Sequence, residues 1–485
     1  MKDSIYQENI YDEVGYGKSN IAVNAVAGSG KTTTIIKCLD IIPRDATSMF
    51  CAFNGDIVKA ISKKIGKKRP TSTIHSIGWQ AMLRHYRGAE IKIDKVKELV
   101  YKLTGKWTPW SYVGTMEKMV DLMRLNLVFD DLAVLELMEK HNVPLVKYKN
   151  RNFLEDCLEV VHMCIEDRRH FDFTDMVFIP ALNDNLHINK FQYVFIDECQ
   201  DLNNAQQAVT GKMLDANSRF IAVGDRNQAI YGFAGADHES FEHFANSPNT
   251  VSLPLSICYR CGKNIVEKAK LIVPHIEAWD EAEDGLVAAK SWQEVQDGDW
   301  VLCRNVRPLV LMCLKLIREG RKAHVRGKDI GKSIIKLIKS TKQDNKKMCY
   351  YIFQRYIEDQ TLLLLDYGVK EPDKHSSVIE LREILALVTY IGEECRDVTE
   401  IIEKLESIFT DEVQEGIQMM TMHKSKGLET PRVMIICPEL IPSPFAIKEW
   451  QRGQERNLQY VAYTRAKSEL FISSDFAVTN LISKT

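Results

Sequence analysis

One short stretch, Ala25-Val26-Ala27-Gly28-Ser29-Gly30-Lys31-Thr32, constrains this chain more than any other. It closes a mostly apolar stretch, Ile21 to Val26, that reads as a buried strand, and it opens a helical pattern from Thr32 to Ile41. Gly28 and Gly30 let backbone N–H groups turn inward toward an anion, and the positive end of the next helix adds to the attraction. Lys31 is placed to reach the β- and γ-phosphates of a nucleotide, and the Thr32 hydroxyl to take a Mg2+ position. Ser29 and Thr33 belong to the same set of phosphate contacts. Ala25 stands where the strict pattern begins with Gly. A loop of this kind belongs at the ligand-binding edge of a parallel sheet, so the expected fold class is α/β.

Thr47 to Phe53 reads as a second strand, with a helix from about Asp56 to Ile65. That repeat of strand and helix is the rhythm of βαβ units. From about residue 84 to 170 the rhythm changes. Met116 to Val128 and Phe153 to Ile165 carry apolar residues at helical spacing, as expected of an inserted helical subdomain. Tyr193 to Ile196 and Phe220 to Val223 are short, apolar and bounded by polar residues, like central parallel strands. A second α/β unit is expected from about residue 250, with strands at Trp300 to Cys303 and Val433 to Cys437. Leu381 to Ile391 and Ile401 to Phe409 are helical within it.

With 485 residues, two to four domains of about 100–200 residues are expected. Hydrophobic residues at 45% and charged residues at 27% exclude a disordered chain, a collagen-like chain and a disulfide mini-protein. The 64 Lys and Arg nearly balance the 66 Asp and Glu, so any basic track for a nucleic acid must be local. The 12 cysteines are scattered, several of them (Cys38, Cys51, Cys303, Cys437) in apolar runs, and the N-terminus has no apolar leader. Reduced thiols in a cytoplasmic or nuclear protein that is not secreted are the expectation. No run of about 18 apolar residues exists, so no membrane partner is expected.

A second chemical cluster follows the strand at Tyr193. Asp197-Glu198-Cys199-Gln200-Asp201 places carboxylates at the C-terminal end of a buried strand, where α/β sheets bind ligands. Asp197 is placed to hold Mg2+ and Glu198 to orient or deprotonate an attacking water. Asp201 is equally read as a helix cap.

These residues carry a resemblance. Asp197 to Asp201 is similar to motif II of superfamily-1 helicases of the UvrD/Rep/PcrA type. The other motifs follow in family order. Ser4-Ile5-Tyr6-Gln7 resembles the Q motif, Phe50-Cys51-Ala52-Phe53-Asn54 motif Ia, and Thr73-Ile74-His75-Ser76 motif Ib. Val223 to Phe233, which contains Gly224-Asp225-Arg226-Asn227-Gln228 and Tyr231-Gly232-Phe233, resembles motif III. Cys258-Tyr259-Arg260 lies in a motif IV, Thr421 to Glu429 resembles motif V, and Tyr460 to Lys467 resembles motif VI. The short Ala-Phe-Asn form of motif Ia is also similar to the F-box helicase branch and to phage helicases.

The resemblance implies two RecA-like parallel-sheet domains, each with a mainly helical insertion. The first core would comprise residues 1–83 and 171–250, with an insertion at 84–170. The second would comprise 251–334 and 413–485, with a small insertion at 335–412. It implies ATP and Mg2+ as cofactors, bound in a cleft between the two cores. Gln7 would read adenine, Tyr259 would lie against the base, and Glu429 would accept from the ribose hydroxyl. Gln228 would sense the γ-phosphate, and Arg260 and Arg465 would be arginine fingers that stabilise the transferring phosphoryl group.

For a single strand of DNA, Phe53 and Phe233 are the best stacking candidates, with Tyr231 next. Base stacking is worth ~1–3 kcal/mol and tolerates any sequence. Asn54, His75, Arg304, Thr421 and His423 are candidates for the DNA backbone or for coupling the strand to ATP. Plain core packing is the rival role for each aromatic; for Phe53 the two are balanced until the resemblance is counted. Two departures stand out. Motif III reads Tyr231-Gly232-Phe233 where the family has a bulkier Tyr-Arg-Trp, and Cys258 and Cys261 flank Tyr259-Arg260. A Cys-x-x-Cys without a second such pair is read as small apolar packing.

The function so implied is an ATP-dependent DNA helicase and translocase. It would be a monomeric motor moving 3′→5′ on single-stranded DNA and opening single-strand/duplex junctions, with a loading partner unidentified. One alternative is a DNA-stimulated ATPase that strips proteins with little unwinding. The other is a non-hydrolysing DNA-binding scaffold.

Overall fold

The structure is a computed structural model. It describes residues 2–52, 55–65, 69–141, 143, 145–232, 235, 239–366, 370–412 and 415–476. The chain divides into two compact units, Met1–Ile257 and Cys258–Thr485.

Among the described residues of the first unit, eight strands precede the division: β1 (Asn20–Ala25), β2 (Ser48–Ala52), β3 (Thr71–Thr73), β4 (Glu90–Ile91), β5 (His170–Phe171), β6 (Tyr193–Asp197), β7 (Arg219–Gly224) and β8 (Thr250–Leu255). Six of them form one sheet in the order β3-β2-β6-β7-β1-β8. Neighbours run parallel: Ile21 pairs with Ile221, Phe195 with Ile221, and Phe50 with Phe195. Consecutive residues of β6 and β7 are buried, so both faces of the central strands are covered and their apolar residues do not alternate with polar ones. Ile21, Val23, Phe50, Phe195, Ile221 and Val223 are buried together in this core.

Between β3 and β6 the chain leaves the sheet. Helices Lys95–Thr104, Trp110–Asn126, Asp131–Lys140 and Phe153–Glu166 follow, with the small parallel pair β4 and β5 beside them. Their interior holds charge. The Arg124 guanidinium is fully buried and donates to Asp172 at 2.8 Å and 3.1 Å, to Asp175 at 2.8 Å and to Asp121 at 2.6 Å. Lys95 pairs with the second oxygen of Asp175 at 2.6 Å. Helix Ile74–His85 meets helix Asp175–Leu182 so closely that a Cβ on Gly78 would lie 1.9 Å from the Met176 carbonyl oxygen.

The chain crosses the division within β9 (Ile257–Cys258), which pairs with β10 (Glu277–Ala278). The second unit adds β11 (Leu286–Ala289), β12 (Trp300–Cys303), β13 (Ala323–Arg326), β14 (Phe409–Thr410), β15 (Ile417–Thr421), β16 (Thr430–Ile436) and β17 (Ala466–Ser473). These form a parallel seven-stranded sheet in the order β11-β17-β16-β12-β15-β13-β14. Helices Lys328–Ser340, Lys346–Asp366, Ser376–Gly392 and Val398–Ile408 come between β13 and β14. Phe353, Ile357, Leu364 and Val378 form a small core of their own there.

The α/β class with two RecA-like parallel sheets is therefore as expected from the sequence. Two boundaries are not: the span 335–412, expected as a helical insertion, includes β14, which pairs with β13 in the seven-stranded sheet. Residues 251–257 belong to the first unit, because β8 lies parallel to β1, with Val23 opposite Leu253. All 12 cysteines are unpaired and buried. Among the described residues no helix is long and apolar enough to cross a membrane.

Candidate functional site

In the first unit β1, β7 and β6 end side by side, and each delivers part of one cluster. After β1, Gly28 (φ 68°) and Gly30 (φ 81°) turn left-handed, and helix Lys31–Ile41 starts at once. A Cβ at Gly30 would meet only Gln7 Nε2, at 3.8 Å, so it is the backbone angle that calls for glycine there. Ser29 is fully buried, and its hydroxyl has no hydrogen-bond partner among the described residues. A buried orphan hydroxyl inside an anion-binding loop fits a phosphate contact. Thr32 is half-buried and Thr33 exposed on the first turn.

Lys31 Nζ lies 3.1 Å from Glu198 Oε2. Burial pulls the ammonium down, but Glu198, Asp225 and Asp197 outweigh it and hold Lys31 above its ordinary value. Asp197 is buried at the end of β6. Burial first, and the Glu198 charge second, push its carboxyl up to about 7, against the pull of Lys31. Glu198 itself sits in the left-handed region, at φ 52° and ψ 42°. A bulky residue held there is uncommon and strained. The turn points its carboxylate back at Lys31.

Sequence reasoning assigned no role to Gln200, Asp225, Ser4 or Thr34. The Gln200 amide donates to Glu198 Oε2 at 2.7 Å and to Asp201 Oδ2 at 3.1 Å. Its oxygen accepts from the Asp225 N–H at 3.0 Å. Gln200 thereby ties the end of β6 to the end of β7. Gln228 donates to Asp225 Oδ2 at 2.7 Å. Gln7 is engaged on both sides: its oxygen accepts from the Ser4 N–H and its amide donates to Thr34 Oγ1, each at 3.0 Å. Thr34 in turn donates to the Gly30 carbonyl at 3.1 Å. The N-terminal helix, Ile5–Tyr16, is thus bonded through Gln7 to helix Lys31–Ile41, which follows the loop. For Gln200, Asp225 and Ser4 the signal is their place inside the quoted motifs; Thr34 lies just beyond the loop motif, in the helix that follows it.

His75 lies half-buried in the first turn of helix Ile74–His85, and burial lowers its imidazole pKa. Tyr231 is half-buried just past the turn that carries Gln228. Phe53, Asn54 and Phe233 lie outside the described residues.

The second unit holds the other candidates. Arg260 Nε lies 2.5 Å from Glu429 Oε2, and Lys467 Nζ lies 2.7 Å from Glu429 Oε1. Burial raises the Glu429 carboxyl, but Lys467 and Arg260 together hold it below its ordinary range. Arg260 also donates to the Thr464 carbonyl at 3.2 Å. Tyr259 packs near Trp279, with ring centroids 6.0 Å apart. Arg465 is the second of the two arginines expected at the nucleotide. It is 1% exposed, and its guanidinium donates to the carbonyls of Val461 at 2.9 Å and Leu428 at 2.8 Å and to Thr464 Oγ1 at 3.2 Å. Those oxygens hold it inside its own unit.

Arg304 is bonded to Glu455 at 2.9 Å and 3.1 Å, and Glu455 also accepts from the Ser443 N–H at 2.9 Å. Burial, and then the Arg304 charge, push His423 down to about 3, so its imidazole is neutral at any physiological pH. Thr421, at the end of β15, is buried, and its hydroxyl accepts from the Lys424 N–H at 3.3 Å. Cys258 and Cys261 are both buried beside Arg260.

The comparisons agree with this arrangement. The profile of the UvrD/REP helicase N-terminal domain matches residues 7–249, which contain the loop, the acidic cluster and Gln228. DNA helicase II of Salmonella typhimurium is 21% identical over 401 residues, covering 59% of this chain and 56% of that protein. ATP-dependent DNA helicase PcrA of Staphylococcus epidermidis is 24% identical over 402 residues, covering 59% and 55%. ATP-dependent DNA helicase Rep of Buchnera aphidicola is 23% identical over 301 residues, covering 56% and 43%. The chain thus spans about half the length of these curated relatives. A profile match over half the sequence, on a parallel sheet whose strand ends gather Lys31, Asp197, Glu198, Asp225 and Gln228, places this chain in the UvrD/Rep helicase family.

Proposed function

We propose that this chain is an ATP-dependent DNA helicase and translocase that moves 3′→5′ along single-stranded DNA and opens duplex DNA. The observation that carries the reading is the cluster in which one lysine, Lys31, faces Glu198, Asp197 and Asp225 at the mouth of an anion-binding loop. Such a cluster is built for phosphoryl transfer to water.

On this reading the loop N–H groups, Ser29 and Lys31 hold the phosphates of ATP. Thr32 and Asp197 would hold Mg2+, which neutralises charge on the phosphates when bound. Among the described residues no three side chains gather as a metal site, which suits an ion that takes one carboxylate and completes its shell from phosphates and water. Glu198 leaves Lys31 for the attacking water, orients it and accepts its proton. Gln228, linked to Asp225, reports the γ-phosphate to the rest of the unit. Arg260 and Arg465 are proposed to reach the nucleotide from the second unit, which Arg465 does only by giving up its carbonyl partners. Gln7, Tyr259 and Glu429 take the adenosine part. Phe53, Asn54, His75, Tyr231, Phe233, Arg304, Thr421 and His423 take the strand. We assign the insertions to residues 84–170 and, up to the start of β14, to 335–408, and propose a monomeric motor that works in the compartment holding the DNA.

The test is ATP hydrolysis by the wild type and by Glu198→Gln, with and without single-stranded DNA. A wild-type rate that rises with DNA, and a variant that binds ATP but hydrolyses it at least ~10²-fold more slowly, are expected. A wild-type rate near zero in both conditions would refute the motor. A tailed duplex then distinguishes unwinding from protein stripping.

A further inference from the structure

Helix Lys328–Ser340 of the second unit has the sequence KDIGKSIIKLIKS: four lysines and a single acid, in a chain whose charges otherwise balance. Gly331, Ile334, Ile335 and Ile338 are buried, and the helix packs by that face on helix Val398–Ile408 and β14. Lys328, Lys332, Lys336 and Lys339 are all exposed. At about 100° and 1.5 Å per residue they fall within an arc of roughly 80° and a length of about 16 Å. None of the four has an ion-pair partner among the described residues.

A solvated helix face ordinarily mixes signs, so that residues at i and i+4 pair as acid and base. Here the i and i+4 positions (328, 332, 336) repeat the same sign, which destabilises a helix. The one acid does not relieve them. Both oxygens of Asp329 are taken by Lys424, at 2.8 Å and 2.9 Å. Asp411, near the N-terminal end, accepts from the Lys328 N–H at 3.3 Å. Lys342 follows directly after the helix and is exposed as well. The result is a straight, unneutralised row of ammonium groups. Its length spans about five phosphate steps of one duplex strand, at ~3.4 Å per step.

We propose that the row Lys328, Lys332, Lys336 and Lys339 is a contact track for the phosphate backbone of a nucleic acid, additional to the strand-binding residues named above. The proposal rests on the helicase reading and deepens it. The track grips the polyanion without reading its sequence, because lysine ammoniums meet phosphates as point charges. An acidic protein segment is the competing occupant. The nucleic acid is favoured because the row is long, regular and free of apolar side chains.

The test is equilibrium binding of labelled DNA across a series of salt concentrations. The wild type is compared with a variant carrying Lys328→Gln, Lys332→Gln, Lys336→Gln and Lys339→Gln, and with the same four positions changed to Arg. One arm uses a short single strand and the other a forked duplex. Each lost phosphate contact lowers the slope of log K against log salt by ~0.9 on duplex and ~0.7 on a single strand. A Gln variant whose slope falls by about 2–4 in either arm, with the Arg variant restored, is the expected result. The arm that changes identifies duplex or single strand. Circular dichroism of both variants verifies the helix. Equal slopes for wild type and Gln variant in both arms would overturn the track and leave the face to an acidic protein. A wild type that binds neither DNA would overturn the helicase reading together with the track.

Discussion

Lys31 and Glu198 form a 3.1 Å ion pair between the phosphate-binding loop and the end of β6. The two residues expected to do the chemistry are therefore each other's partners, and ATP phosphates must compete for the lysine. With Asp197 and Asp225 alongside, Lys31 is the cation that makes a group of buried carboxylates tolerable. Lys31→Met is expected to abolish ATP binding and also to lower the melting temperature measured without ligand. Removing one partner of a buried pair commonly costs about 3–5 kcal/mol. Adding Glu198→Gln to that background should recover part of the loss. Melting curves of the two single variants and the double variant give the coupling directly. Purely additive effects would show that the pair carries no stability.

Asp197 predicts a pH dependence of definite sign. Its folded carboxyl titrates at about 7, against an ordinary 3.8, so between these values the folded protein holds a proton that the unfolded chain has released. Stability from this group therefore falls as pH rises through that window, and the cost is complete above about 7. Asp197→Asn should melt higher than wild type near pH 8 in the absence of nucleotide and divalent ions, and the gap should close toward pH ~4. The same variant should not hydrolyse ATP. If Asp197→Asn melts lower than wild type near pH 8, the carboxylate is not strained by its neighbours.

Gln200 is a positioning residue, and its loss should show in turnover more than in binding. Its amide holds Glu198 while its oxygen accepts from Asp225, so two strand ends move as one. Gln200→Leu keeps the volume and removes the bridge. We expect kcat to fall by ~10–10², as for a misplaced catalytic group, with KM for ATP nearly unchanged. A KM rising in proportion to the loss in kcat/KM, at constant kcat, would instead mark Gln200 as a binding residue.

Much of this arrangement is legible in one dimension. β1, β6, β7 and β12 are largely apolar, with polar residues mainly at their ends, because parallel strands are covered on both faces. The loop and the acidic cluster are visible because each must follow such a run directly. β8 was misplaced for a physical reason. Thr250-Val251-Ser252-Leu253-Pro254-Leu255 is mixed in polarity and contains a proline, both of which an edge strand tolerates. Only three-dimensional pairing with β1 assigns it. The partners of Arg465 are not legible in the sequence, because its position in a motif says nothing about the carbonyls of Leu428 and Val461 to which it donates. Gln200 shows the same limit, since its second partner, Asp225, lies on another strand.

The buried network around Arg124 yields a last prediction, one that separates stability from chemistry. Arg124 faces Asp172, Asp175 and Asp121, and Lys95 shares Asp175. Arg124→Met would leave Lys95 as the cation for Asp175 and remove the charge that faces Asp172. A loss of about 3–5 kcal/mol is expected, because a buried carboxylate without its cation is costly. Burial already raises the Asp175 carboxyl despite Arg124 and Lys95. Without Arg124 it rises further, and protonation then relieves the penalty. The gap in melting temperature between wild type and Arg124→Met should therefore shrink as pH falls, whereas simple loss of packing would leave it unchanged. Replacing Lys95, Arg124, Asp172 and Asp175 together by apolar residues of similar size should cost less than Arg124→Met alone, since the one partner charge left, Asp121, is half-exposed and keeps its water. A quadruple variant less stable than the single one would show that the network contributes more than mutual neutralisation.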